Sequence, residues 1–326
     1  MSITDRIEDR LDPEIAAVLA AAPAIELNSQ SLSDRRLVRA PTPDLSEAVE
    51  RRDLAVPGPG GGPPVTVRVH RPTGAGVTLP AVYWMHGGGY VTGSYAGEDA
   101  RFDRWCQRLQ CVGLSVEYRL APEHPYPAPL DDCYAGLTWV AAHADDLGID
   151  LGRLGIGGSS AGGGLAAGLA LLTRGRGEVE LAFQLLNCPM IDDRQTTSSS
   201  QWDAPVWSPQ ANRFGWSSYL GALYGRGDVP PYAAPARATV LDGLPPSLVA
   251  VGTVDGFFDE DVAYAERLNR AGVATALHVY PGAPHGFEAV APRTALALRS
   301  MQETEDWLAF QLRPSPPPAS AAAVRP

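Results

Sequence analysis

The chain contains no lysine; all 26 of its basic residues are arginine. That absence removes several chemistries at once. A P-loop places a lysine on phosphate, a pyridoxal enzyme holds its cofactor on one, and one class of serine hydrolase activates its nucleophile through S-x-x-K. A serine nucleophile here needs another base, and histidine is the usual one. Cysteine is scarce as well. Cys106, Cys111, Cys133 and Cys188 show neither C-x-x-C spacing nor histidines at zinc-ligand spacing, so they read as free thiols packed as small hydrophobes. No apolar run is long enough to span a bilayer, and the opening MSITDRIEDRLDPE mixes both signs of charge with no signal-type apolar stretch. Positive charge falls short overall. The net charge of −11 argues against nucleic acid and anionic membranes as partners. These features describe a cytoplasmic protein with no membrane span and no metal site.

What is present is a chain of 326 residues with 45% hydrophobic content spread along its length, enough for one large core with a small appended cap. Residues 1 to about 58 read as helical and amphipathic, with Ile7, Leu11, Ile15, Val18 and Leu19 near helical spacing, until PGPGGGPP (57–64) breaks the pattern. Strands are expected at Val65–Arg71, Ala81–Met85, Val112–Tyr118, Arg153–Gly158, Leu181–Leu186, Pro245–Val251 and Thr275–Tyr280. Helices are expected at Leu130–His143, Ala161–Leu172, from an Asp259 cap to Arg270, and Thr294–Leu312. Strands alternating with helices imply an α/β fold with a mostly parallel sheet and helices on both faces. Functional residues in such sheets sit at the C-terminal strand ends, so each candidate should directly follow a strand.

Gly158-Ser159-Ser160-Ala161-Gly162 fits G-x-S-x-G between an expected strand and an expected helix. A sharp turn there lifts a serine out of the sheet, and the following helix points its positive end at it. Small flanking residues let the chain pass close to itself. Ser160 is the better nucleophile, because the frame centred on Ser159 ends in Ala161 and not glycine. A dinucleotide fingerprint fails, since Ser160 stands where its third glycine belongs.

His86-Gly87-Gly88-Gly89-Tyr90 follows the run AVYWM. Three glycines leave backbone amides unobstructed, which suits an oxyanion hole made by Gly88, Gly89 and the amide of Ala161. His86 then supports the loop. Among six histidines, His285 lies in a Pro- and Gly-rich loop directly after TALHVY, the position expected of a general base. Asp255 follows SLVAV and suits the residue that orients His285. The order Ser, Asp, His is that of α/β-hydrolases.

By these residues the chain resembles the bacterial hormone-sensitive lipase family of esterases. The likeness covers roughly residues 65–310 and rests on HGGGY (86–90), EYRLAPEHPYPAPLDD (117–132), GGSSAGG (157–163), YAAPARA (232–238), DGFFDE (255–260) and HGF (285–287). It implies an α/β-hydrolase fold with an eight-stranded sheet. The core would be 51–189 and 241–312, under a helical cap from 1–50 and 190–240, with a disordered tail at 313–326. It also implies a serine carboxylesterase acting on short- to medium-chain acyl esters, no cofactor, and frequent homodimers. Two departures stand out: Ser159 occupies a position usually acidic, and D-x-L-x-D-E appears as Asp255-Gly-Phe-Phe-Asp259-Glu260. Other serine acyl hydrolases (amidase, peptidase, lactonase) share the triad, and a non-catalytic ligand receptor of the same fold is a further alternative, although such receptors typically lose the base and His285 is present. The aromatic 190–240 segment, with Trp202, Trp207, Phe214, Trp216, Tyr219 and Tyr224, is a candidate lining for the substrate site.

Overall fold

A computed structural model describes residues 7–21, 26–38, 44–76 and 78–314. The expected tail falls outside the described residues from 315 onward, as do parts of the expected N-terminal cap segment. Helices α1 (Pro13–Ala20) and α2 (Leu32–Leu37) precede β1 (Val49–Val56) and β2 (Val65–Pro72). Then come β3 (Leu79–Met85), α3 (Asp99–Leu109), β4 (Val112–Glu117), α4 (Ala128–Ala142) and α5 (Ala144–Leu147). β5 (Ile149–Ser159), α6 (Ala161–Arg176), β6 (Gln184–Asn187) and α7 (Pro209–Leu220) follow. The chain closes with β7 (Ser247–Gly252), α8 (Phe258–Arg270), β8 (Thr275–Tyr280), α9 (Phe287–Val290) and α10 (Ala295–Gln311).

The strands form one eight-stranded sheet in the order β1-β2-β4-β3-β5-β6-β7-β8. β2 pairs antiparallel with β1 and β4, and every other pairing is parallel. The two-residue period of a strand is visible in β3, which is buried throughout. Ala81, Tyr83 and Met85 join the core shared with α4, α6 and α8, whereas Val82 and Trp84 join Phe102, Trp105 and Leu308 beneath α3 and α10. Local signals fix the helix starts. Asp12 caps α1 by accepting from the Glu14 and Ile15 amides, with Pro13 in the first turn, and Thr294 caps α10.

The structure departs from expectation in four places. Residues 49–56 are strand and not helix, so the expected boundary between cap and core at 50/51 falls inside β1. This strand is an edge with only Val49 and Val56 buried, and its VERRDLAV sequence lacks the apolar alternation of a half-buried strand. Helix α3 was not anticipated at all. Its aromatic residues Phe102 and Trp105 face the core between charged neighbours. Asp259 does not cap α8. It lies within the helix, and its Oδ2 accepts from the Ser199 amide at 2.8 Å while Ser199 Oγ accepts from the Asp259 amide at 3.0 Å. The pair ties the 190–240 segment to the loop carrying Asp255. Finally, α6 carries Leu165, Leu169 and Leu172 near one face as an amphipathic helix would, yet it is buried all round from Ala161 to Thr173. The 190–240 segment covers its outer side, so closely that a Cβ on Gly168 would lie 2.3 Å from the Tyr232 carbonyl oxygen.

Asp261 on α8 is fully buried, and neither carboxyl oxygen has a protein partner among the described residues. Burial, then the neighbouring Glu260 and Asp255 carboxylates, push its acid well above the usual carboxylate range. A raised acid binds its proton more tightly folded than unfolded, so its contribution to stability is present below the unfolded value and drains away as pH rises. An amide at this position has no proton to lose. The melting temperature of Asp261→Asn minus that of the parent should therefore rise from pH 5 to pH 8. Thermal scans at the two pH values check it, and a signed difference that stays constant or falls contradicts it.

Candidate active site

Ser160 stands between the end of β5 and the start of α6, with φ 55° and ψ −121°. This is a strained conformation for a residue with a side chain, and its surroundings hold it. The Ser160 amide donates to the Asn187 carbonyl at 2.8 Å, and the Ser160 carbonyl accepts from the Gly164 and Met190 amides at 3.0 and 2.9 Å. The flanking glycines are required by contact. A Cβ on Gly158 would lie 2.2 Å from the Gly162 carbonyl oxygen, and one on Gly162 would lie 2.0 Å from that of Met85.

The strand-end rule holds for all three residues singled out in the sequence. β5 delivers Ser160, β7 delivers Asp255 and β8 delivers His285, and the fold brings the three together. His285 Nε2 lies 2.8 Å from Ser160 Oγ, and His285 Nδ1 lies 2.8 Å from Asp255 Oδ2. Asp255 is fully buried and its Oδ1 accepts the Phe257 amide at 2.9 Å, so the carboxylate is fixed in its turn. Burial disfavours a charged imidazole, but the Asp255 carboxylate together with Cys188 outweighs it and holds His285 well above the ordinary histidine value. Phe257 meets the imidazole edge-on at 4.9 Å.

The glycine loop lies beside this group. Gly88 has φ 124° and Gly89 φ 60°, both in the region that favours glycine. A Cβ on Gly88 would lie 2.2 Å from the Thr92 carbonyl oxygen. The Gly88 carbonyl accepts from the Val91 and Thr92 amides at 3.1 and 2.9 Å. Its own amide and that of Gly89 donate to no protein acceptor among the described residues. Ala161 opens α6, where amides precede the helical ladder. His86 supports the loop: its Nδ1 lies 2.8 Å from the Gly87 carbonyl and its ring stacks on Tyr118 at 4.1 Å. His70 sits on Asp99 and His143 on the Trp139 carbonyl, both at 2.8 Å.

Several residues at the site escaped sequence reading. Asn187 ends β6 and Cys188 follows it, so the rule that found the other three points to them as well. Asn187 Nδ2 bridges Ser159 Oγ at 3.4 Å and Glu288 Oε2 at 3.0 Å. Cys188, Asp255 and His285 present possible metal-ligand atoms within 4.8 Å of one another, but His285 and Asp255 are already engaged with each other. From the aromatic segment, Trp207 reaches the site. Its ring lies 6.0 Å from His285 and leaves no room for a side chain on Gly89. Trp216 and Tyr219 pack instead in the core against Tyr90. Two cavities are notable, of which the first opens onto Ser160. One of about 450 Å³ reaches from Ser160 toward α3 and α10. Another of about 920 Å³ lies between Leu11, Leu19 and Leu27 on one side and Ala204, Val206 and Val290 on the other.

The family model described as alpha/beta hydrolase fold matches residues 82–289. Esterase LipI of Mycobacterium tuberculosis is 35% identical over 289 residues, covering 85% of this chain and 88% of LipI. This chain belongs to the α/β-hydrolase family, in its hormone-sensitive-lipase-like branch of esterases. The solved structure named Bacterial Heroin Esterase matches this α/β-hydrolase with a TM-score of 0.90 at 40% identity, covering 94% of this chain and 99% of that one. Ethyl acetate hydrolase of Pseudomonas putida is 32% identical over 224 residues, 68% of this chain and 70% of its own. The expected fold is thereby shown, with its eight-stranded, mostly parallel sheet. Among the described residues no helix is long and apolar enough to cross a membrane.

Proposed function

We propose that this carboxylesterase hydrolyses short- to medium-chain acyl esters through an acyl-enzyme, with Ser160 as nucleophile, His285 as base and Asp255 as its orienting acid. The unbroken relay of two 2.8 Å contacts from Asp255 through His285 to Ser160 carries the reading. Ser160 Oγ attacks the ester carbonyl as its proton passes to His285 Nε2. Gly88, Gly89 and Ala161 offer their amides to the oxygen that gains charge. Asp255 holds the imidazole tautomer and stabilises the imidazolium. His285 then protonates the departing alcohol, and water, activated by the same ring, releases the acid. The cavity of about 450 Å³ beside Ser160 suits a modest acyl or alcohol group.

The cap assigned to 190–240 and the N-terminal segment is supported by Trp207 at the site and by the Arg10 guanidinium, 5.1 Å above the Trp202 ring. Four free, buried cysteines suit a reducing compartment and support the cytoplasmic assignment. A p-nitrophenyl alkylphosphonate tests the reading. One equivalent of nitrophenol per active site should be released as hydrolysis stops. Unchanged ester turnover after exposure to the reagent would overturn it.

A further inference from the structure

We propose that the cavity reaching from Ser160 toward α3 and α10 binds a carboxylate carried by the ester substrate, and that Arg101 recognises it. This rests on Ser160 being the nucleophile. Apart from its mouth, the wall is largely apolar, with Trp105, Ala289, Pro292 and Met301. Arg101 of α3 is set into that wall. Its guanidinium lies 4.7 Å over the Trp84 ring and 5.3 Å over that of Trp105, and its Nε donates to Glu98 Oε2 at 2.9 Å. Three contacts fix the plane of the group. Its two terminal amino groups donate to no protein acceptor among the described residues.

The other charged groups of the cavity are spent. Glu288 accepts from Asn187 and Ser300. Glu305 is paired with Arg104 and Arg108. Arg104 also lies 3.6 Å from the Met301 sulfur. What remains beside the nucleophile is the pair of terminal N–H donors on Arg101, a guanidinium whose Nε is paired with Glu98 and which also feels the Glu288 carboxylate. A guanidinium fork of this kind matches a carboxylate through two parallel hydrogen bonds, and apolar walls weaken the screening. An arginine held ready at an ester-cleaving serine selects esters with an anionic end.

The experiment compares kcat/KM for esters with and without the carboxylate. One series places the charge on the acyl side: monomethyl succinate, glutarate and adipate against neutral methyl esters of equal length. The other places it on the alcohol side: acetate esters of short hydroxy acids against alkyl acetates. Acid release is followed directly. In one series the ratio of anionic to neutral kcat/KM should be about ten- to a hundredfold higher in the parent than in Arg101→Gln, mostly through KM, with Arg101→Lys between them. The series that responds identifies which side of the ester enters the cavity. The ratio cancels any general loss of folded enzyme. Equal ratios in parent and Arg101→Gln across both series overturn the proposal. If the variants do not fold, the parent alone decides. Glutarate should inhibit neutral-ester hydrolysis competitively at least tenfold better than neutral glutaramide, and equal inhibition overturns the proposal. Phosphonate labelling of the parent reports on the nucleophile separately, so the two readings fail independently.

Discussion

Ser160→Ala should lower kcat for ester hydrolysis by roughly 10⁴–10⁶-fold while leaving KM within a few fold. The reason is geometric. Ser160 Oγ is the atom facing His285 Nε2 at 2.8 Å, and no other hydroxyl is placed on that nitrogen among the described residues. Ser159, its neighbour in the turn, is engaged instead by the Asn187 amide at 3.4 Å. Removing one oxygen deletes the nucleophile but leaves the cavity walls and the amides of Gly88, Gly89 and Ala161 in place. Binding should persist without turnover. Steady-state kinetics with a short-chain p-nitrophenyl ester, on enzyme shown to be folded by its melting curve, provide the check. Retention of more than about a tenth of parental kcat would move the nucleophile elsewhere.

Asp255→Asn should be nearly as severe, a loss of roughly 10³–10⁴-fold in kcat at neutral pH. An amide can donate to Nδ1, which turns the proton to the ring nitrogen that must accept from Ser160. The pH profile adds a second signature. The base works only when its imidazole is neutral, so activity falls as pH drops through the His285 value. Asp255 holds that value well above the ordinary one despite burial, which places the acid limb of the parental kcat/KM profile above about pH 6.5. Without the carboxylate, burial is opposed only by Cys188, and the limb of Asp255→Asn should move to lower pH. A profile unmoved by the substitution would remove Asp255 from the relay, whatever its effect on rate.

The parts of this molecule that could be read from sequence are those where a local pattern and the required chemistry coincide. Ser160 lies in a turn whose glycines are demanded by contacts under 2.5 Å, and so leaves a recognisable signature. His285 and Asp255 could be found because each follows a strand of nearly unbroken apolar or β-branched residues. Asn187 and Cys188 also stand at a strand end, but the segment after β6 carries no motif to single them out. It also misread Asp259, because an aspartate ahead of a helical run looks like a cap. Only the fold shows its carboxylate engaged with Ser199, sixty positions away. β1 escaped because an edge strand with charged residues on both faces has no period of two to detect. Arg101 was invisible for a further reason. Its setting is built by Trp84 from β3, Trp105 from its own helix and the cavity behind Ser160, and no sequence window contains all three. Motifs report backbone constraints well, and they report side chains converging from separate elements poorly.

The central claim is that Ser160 forms the covalent bond to substrate. Peptide mapping of enzyme inactivated by the alkylphosphonate tests it most directly. The phosphonyl mass should sit on Ser160 at one equivalent per chain. Its appearance on Ser159 or Cys188, or inactivation with no covalent mass at all, would contradict the account.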